Sequence, residues 1–210
     1  YAVTKGGSSK AAVTIPASGG FWLNGAATVT TTGFNVSVTG LFRISAGTMT
    51  IGNANTTRLI LNNASTFQMD GGALTVTGGL GSAAVGSTGT FTMSGGTINV
   101  QTISAGTPTS FILGSGTTFN MSGGTIVLVN GDNATWDMDV RSGTQNISGG
   151  TVQIGSGATT AANNFAIANG GGGTLRLWNL THAAGVARSN TLGSAVNVLN
   201  SLTIQANNTL

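Results

Sequence analysis

Through most of the chain, apolar and polar residues alternate over short runs, and small residues interrupt the runs at regular places. In Phe91-Thr-Met-Ser-Gly-Gly-Thr-Ile-Asn-Val100, Phe91 and Met93 fall on one side and Thr92 on the other. Beyond Ser-Gly-Gly, Ile98 and Val100 fall on one side and Thr97 and Asn99 on the other. A period of two belongs to a β-strand, so the segment predicts two short strands joined by a bend. Glycine permits positive φ in that bend, and a preceding Ser or Asp can bond the turn backbone.

The pattern recurs at residues 42–51, 67–76, 91–100, 119–128 and 145–154, with starts 25, 24, 28 and 26 residues apart. A looser copy begins at Phe21, with its later apolar position slipped by one, and Leu175-Arg-Leu and Leu202-Thr-Ile keep only a strand half. A third apolar stretch follows in most copies: Leu59 and Leu61, Phe111 and Leu113, Trp136 with Met138 and Val140, Phe165 and Ile167. Units of three short strands cannot bury an apolar face alone but can stack on their neighbours. The predicted fold is therefore all-β, a parallel β-solenoid of seven or eight coils of roughly 25 residues, with almost no helix. Only residues 182–188 are a candidate helical turn. An array of antiparallel hairpins competes, since Gly-Gly also closes hairpins. It gives no reason for the same side chain to recur at the same place in each unit.

Two sets of residues follow. Phe42, Phe67, Phe91 and Phe119 are expected to form one internal column, and Ile44, Met69, Met93, Met121 and Ile147 the next. Gly47, Gly71, Gly72, Gly95, Gly96, Gly123, Gly124, Gly149 and Gly150 are expected to form the turns. Residues 21–210 read as one solenoid domain, and residues 1–20 as an N-terminal extension or first strand that could serve assembly.

Composition narrows the chemistry. Of 210 residues 35 are glycine, well above the ~7% of ordinary proteins, and only 5% are charged against ~25%. Cysteine is absent and histidine occurs once, so this chain alone builds no disulfide framework, thiolate zinc site or multi-histidine centre. The net charge of +3 comes from scattered Lys and Arg without a basic run, which argues against nucleic acid as a partner. No apolar run approaches the ~18 residues of a membrane helix. The chain opens at Tyr1 without Met, which favours a processed or excised piece of a longer protein.

At the Met-Ser-Gly-Gly-Thr-Ile units the sequence resembles the repeats of bacterial autotransporter passengers and related large surface adhesins. The resemblance covers about residues 42–154. It implies a right-handed β-helix, a secreted or cell-surface location, and a structural role without catalysis or cofactor. Partners would then be further copies joined end to end or by strand addition, neighbouring coils of a longer chain, or surface glycans.

Chemical candidates are few. Three of the four acidic residues lie in Asp132-Asn-Ala-Thr-Trp-Asp-Met-Asp-Val-Arg141. Asp137, Asp139 and Arg141 would share an outward strand face, with carboxylates about 6.6 to 7 Å apart. That spacing suits a carbohydrate-cleaving pair, or a calcium cluster of Asp132, Asn133, Asp137 and Asp139. The plainer reading is a solvated face on which Asp139 pairs with Arg141. His182 lacks a nucleophile motif and reads as a loop residue. Trp22 and Trp178 are equally sugar platforms or packing residues. Outward Thr48, Thr97, Thr125 and Thr151 raise ice binding, which the irregular second column (Thr50, Thr75, Asn99, Val127, Gln153) and Ala73 argue against.

Overall fold

The computed structural model describes residues 2–3, 13–101, 110–131, 136–160 and 163–210. Its strands run in chain order. β1 (Ala2–Val3) precedes a first coil of β2 (Val13–Ile15), β3 (Gly20–Leu23) and β4 (Thr28–Thr31). The next three coils are β5 (Val36–Val38), β6 (Leu41–Ile44) and β7 (Thr48–Ile51); β8 (Leu59–Leu61), β9 (Ser65–Met69) and β10 (Ala73–Val76); β11 (Leu80–Ser82), β12 (Thr88–Met93) and β13 (Thr97–Val100). From there the second and third strands of each coil merge into one long strand that turns the corner: β14 (Phe111–Leu113) with β15 (Gly116–Leu128), β16 (Met138–Val140) with β17 (Thr144–Ile154), β18 (Phe165–Ala168) with β19 (Leu175–His182), and β20 (Asn190–Leu192) with β21 (Val196–Ile204).

Every strand pairs in parallel with its counterpart one coil on, as in Phe42↔Phe67, Phe67↔Phe91 and Phe91↔Phe119. The result is a three-faced parallel β-solenoid. One face is an eight-stranded sheet, and the other two are joined around the β15 corner into a thirteen-stranded sheet. Seven steps of about 4.8 Å give a rod about 34 Å long. Among the described residues there is no helix, and residues 183–188 are irregular rather than a helical turn.

The interior columns form as the alternation requires. Phe42, Phe67, Phe91 and Phe119 are fully buried, as are Ile44, Met69 and Met93, with Met121 at 2% and Ile147 at 8% exposure. The column begins one coil earlier than the clear repeat, because Phe21 stacks on Phe42 at 5.1 Å. Phe67 and Phe91 stack at 4.5 Å and 10°, but Phe91 meets Phe119 at 65°. There Phe111 of the eight-stranded face comes edge-on to Phe91, at 5.5 Å and 82°.

The two turn glycines do different jobs. Only the second has positive φ: +77° at Gly47, +71° at Gly72, +75° at Gly96, +77° at Gly124 and +85° at Gly150. The first is required by the coil beneath, since a Cβ on Gly71, Gly95, Gly123 or Gly149 would stand 2.6, 2.3, 2.3 or 2.1 Å from a backbone oxygen of the preceding coil. The methionine of the motif belongs to the same device. Cε of Met69, Met93 and Met121 occupies the space that a Cβ on Gly96, Gly124 and Gly150 of the next coil would need.

Candidate functional site

The acidic segment lies on the eight-stranded face at β16. Met138 and Val140 point into the core, so Asp137 and Asp139 point outward as the alternation requires. The expected solvated face is not found: Asp137 is 0% and Asp139 1% exposed. The next coil covers them. The backbone N–H of Ala166 donates to Asp137 Oδ2 at 2.7 Å, and that of Gly170 to Asp139 Oδ1 at 2.8 Å. Arg141 Nε donates to the other Asp139 oxygen at 2.7 Å. These carboxylates fasten one coil to the next, and neither presents a free face to a substrate. Asp132 and Asn133, the other half of the candidate calcium cluster, lie outside the described residues. Among the described residues no three acidic or histidine side chains gather as a metal site.

Beside Asp139 the loop of residues 169–173 and the turn at Gly193 leave a cleft of about 440 Å³, lined by Trp136, Asn169, Gly170, Gly172, Gly173, Thr174, Gly193, Ser194 and Ala195. Alternation with Met138 and Val140 predicts an inward Trp136. Instead it precedes β16 at the surface, and its ring sits where a Cβ on Gly193 would be, 1.8 Å from Cζ3.

A second polar cluster centres on Asp70. Its carboxylate accepts from Arg43 Nε at 2.7 Å, Ser45 Oγ at 3.2 Å, Gln68 Nε2 at 3.0 Å and Ser94 Oγ at 3.2 Å. Burial pushes this carboxyl up, but the hydrogen bonds from Gln68, Arg43 and Ser45 and the Arg43 charge outweigh it and hold the pKa below the ordinary value. Trp22, 54% exposed, donates from Nε1 to Ser45 and carries the Arg43 guanidinium 4.8 Å above its ring. Trp178 packs partly buried against the core at the corner of β19.

His182 is not a loop residue. It closes β19 in register with Ile154 and Ile204, is fully buried, and meets Phe165 edge-on at 6.0 Å. Neither ring nitrogen has a partner of hydrogen-bonding geometry. Desolvation lowers its pKa, and the nearby Thr209 carbonyl opposes this only in part. The threonine column extends beyond the repeat that suggested it, from Thr28 through Thr48, Ala73, Thr97, Thr125 and Thr151 to Asn179 and Ser201. The neighbouring column is broken at Val127, which is buried at 6% exposure.

No protein-family model matches the chain, and neither a curated protein nor a solved structure does. The class the fold defines is a parallel β-solenoid.

Proposed function

We propose that this chain is a non-catalytic structural rod of the cell surface or extracellular space, of the adhesin-passenger or filament-subunit kind, which lengthens by stacking coil upon coil with a second copy. One observation carries the reading. Leu202 and Ile204 stand in register over the buried Leu180 and His182, yet are 50% and 43% exposed. They occupy core columns with no described coil above them, beside an edge of β21 that pairs with no described strand. Apolar surface of this kind, backed by free strand hydrogen-bonding groups, is a template for strand addition. At the opposite end a cavity of about 90 Å³ among Ile15, Phe21, Val29, Val36, Phe42 and Met49 also offers apolar surface. With only 5% charged residues, little repulsion opposes contact between copies.

Sedimentation velocity and negative-stain electron microscopy test the proposal. Concentration-dependent linear oligomers are expected, and the double variant Leu202→Lys, Ile204→Lys is expected to abolish them. A monomer at every concentration refutes self-stacking.

A carbohydrate reading is favoured at a different place from the one the carboxylates suggested. Asp137 and Asp139 are occupied, but the cleft beside them is open.

A further inference from the structure

We propose that the cleft between the 169–173 loop and Gly193 is a binding site for a neutral pyranose residue of a glycan. The site includes the turn that leads into β21 but not the Leu202 and Ile204 end of that strand, and sugar binding to one copy needs no stacking, so the failure of either proposal leaves the other intact.

Three features carry the inference. First, Asn169 is 5% exposed and lines the cleft; its Oδ1 accepts from the Gly171 N–H at 3.0 Å, while its Nδ2 has no acceptor among the described residues. That nitrogen is not shut off from solvent, so a ligand hydroxyl can take the place of the water that would otherwise accept from it. Second, Trp136 supplies an indole wall. Gly193 admits its ring, because a Cβ there would lie 1.8 Å from Cζ3, and among the described residues the indole N–H has no hydrogen-bond partner. An aromatic face beside fixed amide and hydroxyl groups matches the apolar C–H face and equatorial hydroxyls of a pyranose ring. Third, none of the described residues lining the cleft is charged, and the nearest charges, Asp139 and Arg141 beside Gly170, are paired with each other, which favours a neutral ligand over a phosphate, a uronate or an amine. A volume of about 440 Å³ suits one or two sugar units.

Asp139 enters as a positioning residue. By accepting the Gly170 N–H from beneath, it holds the glycine loop that shapes the cleft. The glycine run Gly170–Gly173 is thereby anchored at its first residue.

The test is a titration followed by ¹H–¹⁵N NMR, in which the three indole N–H signals report separately. The probes are methyl glucoside, galactoside and mannoside, their neutral trisaccharides, and trigalacturonate. A saturable shift of the Trp136 signal with at least one neutral probe is expected, with a Kd in the millimolar range. Trp22 should not move. Asn169→Ala should weaken binding at least tenfold. Gly193→Ala should abolish it, while the resonances of the Phe67 and Phe91 coils stay in place. No saturable shift with any neutral probe overturns the proposal, as does a response centred on Trp22. Equal affinity for trigalacturonate overturns the assignment to a neutral sugar.

Discussion

Gly123→Ala is the substitution that probes the architecture most sharply. Its φ is not positive, so a local view of the turn predicts a harmless or stabilising change of a few tenths to 1 kcal/mol through the unfolded chain. The stacked coils predict the opposite. The new methyl would stand 2.3 Å from the Ser94 carbonyl oxygen, about 1 Å inside ordinary contact, and the obstructing atom is backbone that cannot rotate away. Opening the two coils by that amount would stretch the adjacent Thr125 N–H to Gly96 O bond from 3.0 Å to about 4 Å, beyond hydrogen-bonding range. One or two lost ladder bonds at about 1 kcal/mol each, plus overpacking strain of about 1 to 3 kcal/mol, give a destabilisation of about 2 to 5 kcal/mol. For a chain of this size that is a fall in Tm of about 5 to 15 °C. Ala46 provides the internal control. It occupies the same motif position, but the turn beneath it, residues 24–27, is one residue longer than the Ser-Gly-Gly turns, and a side chain is accommodated. Ala46→Gly should therefore cost less than about 1 kcal/mol. Thr92→Ala on an outward strand position should stay within about 0.5 kcal/mol. Thermal and urea unfolding followed by circular dichroism measure all three. Loss for Gly123→Ala no greater than for Thr92→Ala refutes the close-approach account of the first turn glycine.

Phe91→Ala removes a fully buried ring between Phe67 and Phe119 and should cost about 3 to 5 kcal/mol by urea denaturation, where a cost below about 1 kcal/mol contradicts the continuous column. The Arg58 guanidinium has Nε and Nη2 buried without partners, and burial lowers its pKa, so Arg58→Met should raise stability by about 1 to 2 kcal/mol; a loss of that size contradicts it. His182 binds its proton less readily folded than unfolded. Its contribution is therefore full above the unfolded value near 6.5 and is lost as pH falls from there toward the lower folded pKa. Stability of the wild type should decline from about pH 6.5 to 5, and that of His182→Leu should be flat across the same window; parallel curves contradict the buried neutral imidazole.

What the alternation of residues can reveal, and what it cannot, divides along the distance over which each feature is determined. The Phe and Met columns were legible because period two within one strand sets the inward side, and parallel stacking repeats it. Phe21 joined its column for the same reason, despite the slipped position after it. The role of the first turn glycine was not legible as such. Positive φ accounts for Gly96 and Gly124, but Gly95 and Gly123 answer to an oxygen of the coil below, and only stacking brings that oxygen near. Asp137 and Asp139 illustrate the same limit: their outward direction follows from Met138 and Val140, whereas their burial comes from Ala166 and Gly170, about thirty residues on. His182 continues the two-residue step from Leu180, a signal obscured by the Ala-Ala-Gly that follows and suggests a loop or helical turn. Trp136 falls in phase with its strand but lies before the strand begins, so its phase has no meaning. The cleft it lines is made by loops of three coils, and no single repeat encodes it.

The account's central claim is that the rod continues by placing one copy's β21 edge against the first coil of another. The most direct measurement is energy transfer between copies labelled at Ser201→Cys and copies labelled at Thr28→Cys, a pair available because the native chain has no cysteine. These residues stand in one column at opposite ends of the rod, seven steps or about 34 Å apart within a copy. Head-to-tail stacking brings Ser201 of one copy within one or two coil steps, about 5 to 10 Å, of Thr28 in the next, depending on whether β1 lies between them. Strong transfer in the mixed sample is predicted, with its loss in the Leu202→Lys, Ile204→Lys background. Transfer confined to samples in which both labels sit at Ser201, or none at any concentration, would contradict the claim.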